Sequence, residues 1–343
     1  MPNRFRALHI PGFNCLRSDA IRAKVLLLKK GDVGATFLEL SISWALLLDM
    51  KIQCPKNGNS ASECPWSLRD GSVRDMPTTG VMECSSCKLV THEADLSNLV
   101  NYVDGSMGLW SKGYGESLPK PGADLNRRVS DIKQLIKSHA FEIQSILDFG
   151  CGNGEMLRSL APDFQVYGLD PDDKAREIAS SGGMIVYKDI QEIIDEGKKF
   201  DLVTLFHVVE HFYQPDNELK SISKILKKGG ILIIETPNSK DALLTWYKNP
   251  NFQNFTYWSH HPMLHSHESL AMLAERNGFR VLENKGIQRY GLENHLYWLS
   301  HGKPNGHEIW KNFLAEKTLK DYENDLVAKK ICDTLWMITQ WTN

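Results

Sequence analysis

The chain has 343 residues, of which 42% are hydrophobic and 24% charged, with a formal net charge of -2. That length holds two or three domains of ordinary globular composition, and the near-neutral balance leaves no basic face for nucleic acid. No apolar run is long enough to cross a bilayer, and the N-terminus lacks a signal-peptide pattern, so a cytoplasmic setting is expected, in which the seven cysteines are thiols or metal ligands.

Residues 1–49 carry apolar, helix-like runs (Val25–Leu28, Phe37–Leu48) and no motif. Two readings stand side by side: a small packing helix pair, or a stretch that precedes a natural start at Met50. Residues 50–92 read as a small module with Cys54, Cys64, Cys84 and Cys87. The pair Cys84–Cys87 has C-x-x-C spacing, which lets two thiolates face one ion. The first half, CPKNG, has Asn57 where a second cysteine would complete a knuckle, leaving Cys64 as the fourth thiolate and His92 as another candidate ligand. The region resembles the N-terminal zinc-binding module of bacterial sugar C-methyltransferases. A structural zinc and a ribbon that has lost its metal both stay open. Residues 93–129, rich in Gly, Ser and Pro with Tyr102, Trp110 and Tyr114, form a connector, with Tyr114 a candidate lid residue.

The next segment, 130–238, carries the strongest signal. In ILDFGCGNGEMLRSLAPDFQVYGLD, an apolar run ends in Asp148, glycines follow at Gly150, Gly152 and Gly154, and a second apolar run ends in Asp170. This reads as strand, glycine turn, helix and strand. A dinucleotide fingerprint would need a third glycine where Glu155 stands. The spacing D-x-G-x-G-x-G instead suits a nucleoside with an anionic tail facing the helix N-terminus. MIVYKDI (Met184–Ile190) is a third strand ending in Asp189. Phe200–Phe212 holds a buried fourth strand ending in His207 and Glu210-His211. Leu226–Asn238 holds a fifth, broken at Pro237.

Over roughly Ser130 to Leu282 these residues resemble the class I S-adenosylmethionine-dependent methyltransferases. The resemblance implies an α/β fold: a Rossmann-like, doubly wound, seven-stranded sheet, here with a small N-terminal cysteine-knuckle module and a helical C-terminal extension. It implies S-adenosylmethionine as cofactor, held by Asp148, Phe149, Gly150, Cys151, Gly152 and Gly154, by Asp170 and Pro171 at the ribose, by Asp189 and Ile190 at the adenine, and by His207.

Residues 239–343 begin with an insertion rich in aromatics and histidines, in which His260, His261, His265 and His267 crowd together. Ser266–Phe279 reads as a capped helix, FRVLENKG as a strand, His295–Leu299 as the last strand, and Glu308–Asn343 as helical. Histidine titrates near neutrality, so His211 beside Glu210, and His260 and His261, are the candidate bases for methyl transfer. The crowded histidines also offer metal-ligand chemistry. The order of modules points to a small-molecule acceptor, a sugar nucleotide or surface-polysaccharide precursor. The alternatives are a quinone-like or other small acceptor, and a binding scaffold without turnover.

Overall fold

The computed structural model describes residues 65–94, 124–139 and 141–342. Cys54, Cys64, Tyr102, Trp110, Tyr114 and residues 1–49 lie outside them.

The described chain opens with a hairpin, β1 (Trp66–Val73) and β2 (Met76–Cys84), followed by β3 (Val90–His92). Helix α1 (Leu125–His139) leads into the alternating core: β4 (Ser145–Phe149), α2 (Glu155–Leu160), β5 (Gln165–Leu169), α3 (Asp173–Ser181), β6 (Ile185–Tyr187), α4 (Ile190–Asp195) and β7 (Phe200–Phe206). A 3-10 turn, Val209–His211, precedes α5 (Pro215–Ile225) and β8 (Leu226–Pro237). The insertion supplies α6 (Pro250–Thr256) and the two-residue strand β9 (Met263–Leu264). Then come α7 (His267–Arg276), β10 (Phe279–Ile287), α8 (Leu292–His301), α9 (Glu316–Ala328) and β11 (Thr334–Trp341). Among the described residues no helix is long and apolar enough to cross a membrane.

The main sheet has the order β10-β11-β8-β7-β4-β5-β6. β6, β5, β4, β7 and β8 run parallel, and β11 enters antiparallel between β8 and β10. Strand alternation sends side chains to two faces. Leu147, Leu232 and Ile234 join Ile193 of α4, Leu219 of α5 and Leu270 of α7 on one side. Ile146, Ile231 and Ile233 join Ile132 of α1 and Leu160 of α2 on the other. Apolar strands covered on both faces are what parallel crossovers require. The α/β, doubly wound sheet expected from the alternating strands and helices is the fold observed.

Two expectations about the end of the sheet need correction. His295–Leu299 is helical, inside α8, which closes at Gly302 in the left-handed conformation (φ 63°). The last strand is β11, within the stretch read as helical. The run HLYWL is too short for periodicity to separate strand from helix. TLWMITQW buries its first six residues on both faces, so it shows no alternation to read.

A second, antiparallel sheet has the order β1-β2-β3-β9. The hairpin and β3 therefore share a sheet with the aromatic insertion, through Val90–Leu264 and Thr91–Met263 pairing. The turn that carries Cys84 and Cys87 is tied to the core as well: Ser266 Oγ donates to Cys87 O at 2.9 Å and Ser239 Oγ to Lys88 O at 2.9 Å.

Candidate active site

Parallel strands deliver their carboxyl ends to one edge of the sheet, and the site is built there. At the end of β4, Asp148 is 5% exposed and accepts a bond from Thr204 Oγ1 of β7 at 2.8 Å. Burial pushes its carboxyl up to about 7, against the Thr204 bond. The loop that follows turns on three glycines with positive φ: Gly150 (81°), Gly152 (52°) and Gly154 (74°). A Cβ at Gly150 would lie 2.5 Å from Val208 Cγ2, so the loop needs glycine there for space as well as for conformation. α2 begins at Gly154 without a side-chain cap.

Asp170, at the end of β5, folds back on this loop: Oδ2 accepts from Gly152 N at 2.8 Å and Oδ1 from Asp172 N at 2.9 Å. Pro171 follows it into the turn that leads to α3. Asp189 is exposed and caps α4, accepting from Gln191 N and Glu192 N, and Ile190 is the first residue of that helix. Phe149 lies in the core, edge-on to Phe212 at 5.9 Å. Cys151 packs its sulfur where a Gly168 side chain would begin, and burial, aided by Asp148 and Asp170, raises its thiol far above the ordinary value. It is a packing residue in a neutral state, not a nucleophile.

His207 ends β7 in the left-handed region, φ 56°. For a residue with a side chain this costs roughly 1 kcal/mol or more, and such strain concentrates at sites. It is held by His207 N donating to Glu235 O at 2.8 Å and by Nδ1 bonding Glu210 Oε1 at 3.1 Å. Arg289 Nη1 lies 2.8 Å from Nε2; burial and the Arg289 charge oppose a second proton on the ring, but the contacts with Glu210 and Glu235 outweigh them and raise the His207 pKa above its ordinary value. Glu210 is 1% exposed, and its other oxygen accepts from Thr236 Oγ1 at 3.0 Å. Burial raises its carboxyl, but the His207 bond and nearby imidazoles outweigh that and hold it near 2.

His211 Nδ1 donates to the carbonyl of His260 at 2.6 Å, and His261 Nδ1 to that of Thr256 at 3.1 Å. Both rings thus keep Nε2 as an acceptor, and they lie 4.9 Å apart. Burial, with the neighbouring His211, pushes His261 down to about 3. The ring of His260 stacks on Trp258 at 4.2 Å, with Nδ1 3.1 Å from Ser259 Oγ. His265 is fully buried against Ser269, and His267 bonds Asn284. Glu210, His211 and His261 bring ligand-type atoms within 4.8 Å of one another, the one such group among the described residues.

These residues border a cavity of about 630 Å³. Asp148, Gly150, Cys151 and Asn153 line it at the glycine loop, next to His207, Glu210, His211 and His261, and Leu244 with the rings of Phe252, Phe255, Trp258 and Trp298 forms a largely aromatic far wall. Asp170, Asp189 and His260 are outside the lining.

Several wall residues left little trace in the sequence. Glu235 is fully buried and takes bonds from Arg127 Nη2 (2.6 Å) and Arg128 Nη2 (2.5 Å) of α1. A lone acid in the apolar run ILIIET was its signal, because a buried charge must be paired. Arg289, from the loop after β10, joins His207 to Asp124 at the start of α1. Nothing local in sequence announces that contact.

Residues 121–284 match the family profile described as a methyltransferase domain. The profile covers the glycine loop, both strand-end acids and the Glu210-His211 turn together. Over these residues the chain is similar to methyltransferase domains, which are enzymes. Its curated relatives include two named ubiquinone biosynthesis O-methyltransferase. The one from Coxiella burnetii is 28% identical over 176 residues, 48% of this chain and 75% of that protein. The one from Caulobacter vibrioides is 34% identical over 191 residues, 53% of this chain and 58% of that protein. Among solved structures, a SAM dependent methyltransferase from Archaeoglobus fulgidus aligns with TM-score 0.43 and 19% identity, over 68% of this chain and 99% of its own. One from Clostridium acetobutylicum aligns with TM-score 0.46 and 12% identity, over 70% and 98%. The profile covers just under half of the chain; the hairpin module and the residues after 284 lie beyond it.

Proposed function

We propose that this chain transfers the methyl group of S-adenosylmethionine to a hydroxyl of a small ring-shaped acceptor, with His211 as the general base. The observation that carries this reading is the His211 bond to the His260 carbonyl, which leaves Nε2 as a proton acceptor on a cavity continuous with the glycine loop. The sulfonium donor is already activated, so alignment and removal of the hydroxyl proton are the protein's share. His261, held near 3, is too weak a base for that step, and His260 lends its carbonyl rather than its ring. Glu210 stays ionised beside His211 and stabilises the imidazolium that forms.

The aromatic far wall and the names of the curated relatives favour a quinone-precursor-like phenol over the sugar nucleotide expected from the order of modules. Asp148 and Asp170 hold the donor's amino-acid tail and ribose in this reading. The cysteine module keeps a structural zinc as a proposal: Cys84 and Cys87 are both buried on one turn, and Lys88 after them takes φ 61°. The test is a methyl-transfer assay with S-adenosylmethionine against a panel of phenols, catechols and sugar nucleotides. A phenolic acceptor should be methylated, and His211→Asn should cut kcat by roughly a hundredfold with little change in KM for the donor. Full activity in that variant would discard His211 as the base.

A further inference from the structure

The turn between β1 and β2 reaches the loop that carries His260. Arg74 N donates to Tyr257 O at 2.8 Å, and the Arg74 guanidinium lies 4.9 Å above the Trp258 ring. Asp75, next along, takes two bonds from a single residue: Ser259 N to Oδ1 at 3.0 Å and Ser259 Oγ to Oδ2 at 2.5 Å. Ser259 is 4% exposed, and its own carbonyl accepts the Tyr213 hydroxyl at 2.7 Å. The following carbonyl, that of His260, is the one that receives the His211 proton on Nδ1. Three consecutive loop residues are therefore gripped by the hairpin immediately before the group that orients His211.

We propose that Asp75 is a positioning residue: by holding Ser259 at two points it fixes the His260 carbonyl, which selects the Nδ1–H tautomer of His211 and keeps Nε2 toward the acceptor. The inference rests on His211 being the base. Which ring nitrogen of a histidine carries the proton is decided by the bond the other makes, and one well-placed acceptor biases that choice roughly five- to tenfold. Without Asp75, Ser259 loses both of its bonds to the hairpin, and the carbonyl that follows is held less firmly. The hairpin is thus part of the catalytic arrangement.

The test uses the full chain labelled with 15N at histidine and saturated with S-adenosylhomocysteine, with long-range 1H–15N spectra reporting the His211 tautomer. In the wild type, His211 should be overwhelmingly Nδ1-protonated when neutral. In Asp75→Ala the tautomer ratio should fall by roughly five- to tenfold. Asp75→Asn should preserve it, since the amide oxygen can accept from Ser259 N and the amide N–H can donate to Ser259 Oγ. Asp75 is exposed, so a thermal melt should show all three proteins folded. An unchanged tautomer in Asp75→Ala overturns the proposal, and so does an Asn variant that behaves like the Ala variant. The methyl-transfer result for His211→Asn is separate: full activity there would remove the base assignment and leave the tautomer measurement standing.

Discussion

Asp148 and Asp170 sit one strand apart and are held in different ways. Asp170 takes two backbone N–H bonds; Asp148 has one hydroxyl donor in a dry setting, and burial lifts it to about 7. Between about pH 4, the unfolded value, and 7 the free protein therefore keeps a proton on Asp148 that an unfolded carboxyl would have released. In the proposed reading the donor's ammonium group favours the ionised form, so binding should expel that proton. Affinity for S-adenosylmethionine should then rise with pH up to about 7 and level off above it, by at most about tenfold per pH unit. Titration calorimetry across that range should show the rise in the wild type and a flat, weaker profile in Asp148→Asn. A wild-type affinity independent of pH would place the ammonium elsewhere.

At the scale of elements, the glycine loop shows two different needs for the same residue. Gly150 and Gly152 both have positive φ, but a side chain at Gly150 would strike Val208 whereas at Gly152 nothing lies within 4 Å. Gly152→Ala should cost about 1–2 kcal/mol from backbone strain, and Gly150→Ala clearly more because Val208 or the strand end must move. Denaturant unfolding of the two variants should show that order; equal losses would mean the Val208 contact yields freely. The loop was legible in sequence because its constraints are local: spacing, positive φ and the acids at strand ends. The terminal strand was not. β11 is inserted between β8 and β10, and what makes TLWMITQW a strand is its pairing with residues about a hundred positions earlier, through Thr334–Pro237 and its neighbours. α8 was misread for the complementary reason, since Trp298 packs against Phe252 and Phe255 of the distant insertion.

Across the whole molecule, α1 is bound to the site by charge. Burial opposes ionisation of Glu235, but the His207 contact and the Arg128 and Arg127 charges prevail and hold its carboxyl well below the usual range. A depressed carboxylate contributes stability above its unfolded value, near 4.3, and loses it as pH falls further. Glu235→Gln should lower stability at neutral pH by about 3 kcal/mol, as when one partner leaves a buried pair, and the gap should narrow below about pH 4. Urea unfolding at pH 7 and at low pH measures both; a pH-independent difference would assign the loss to packing.

The sequence by itself determined the parallel core and the glycine loop, because alternating apolar runs, glycine spacing and strand-end acids are constraints within a few residues of one another. It also brought Glu210, His211 and His261 forward as chemistry-bearing residues. Only the tertiary structure decided how they are used. The His260 carbonyl accepts from His211 Nδ1, Arg289 and Glu210 flank His207, and Asp75 holds Ser259 from the turn of the hairpin. Protonation state depends on which groups crowd an atom from all sides, and those groups come from segments that only folding brings together.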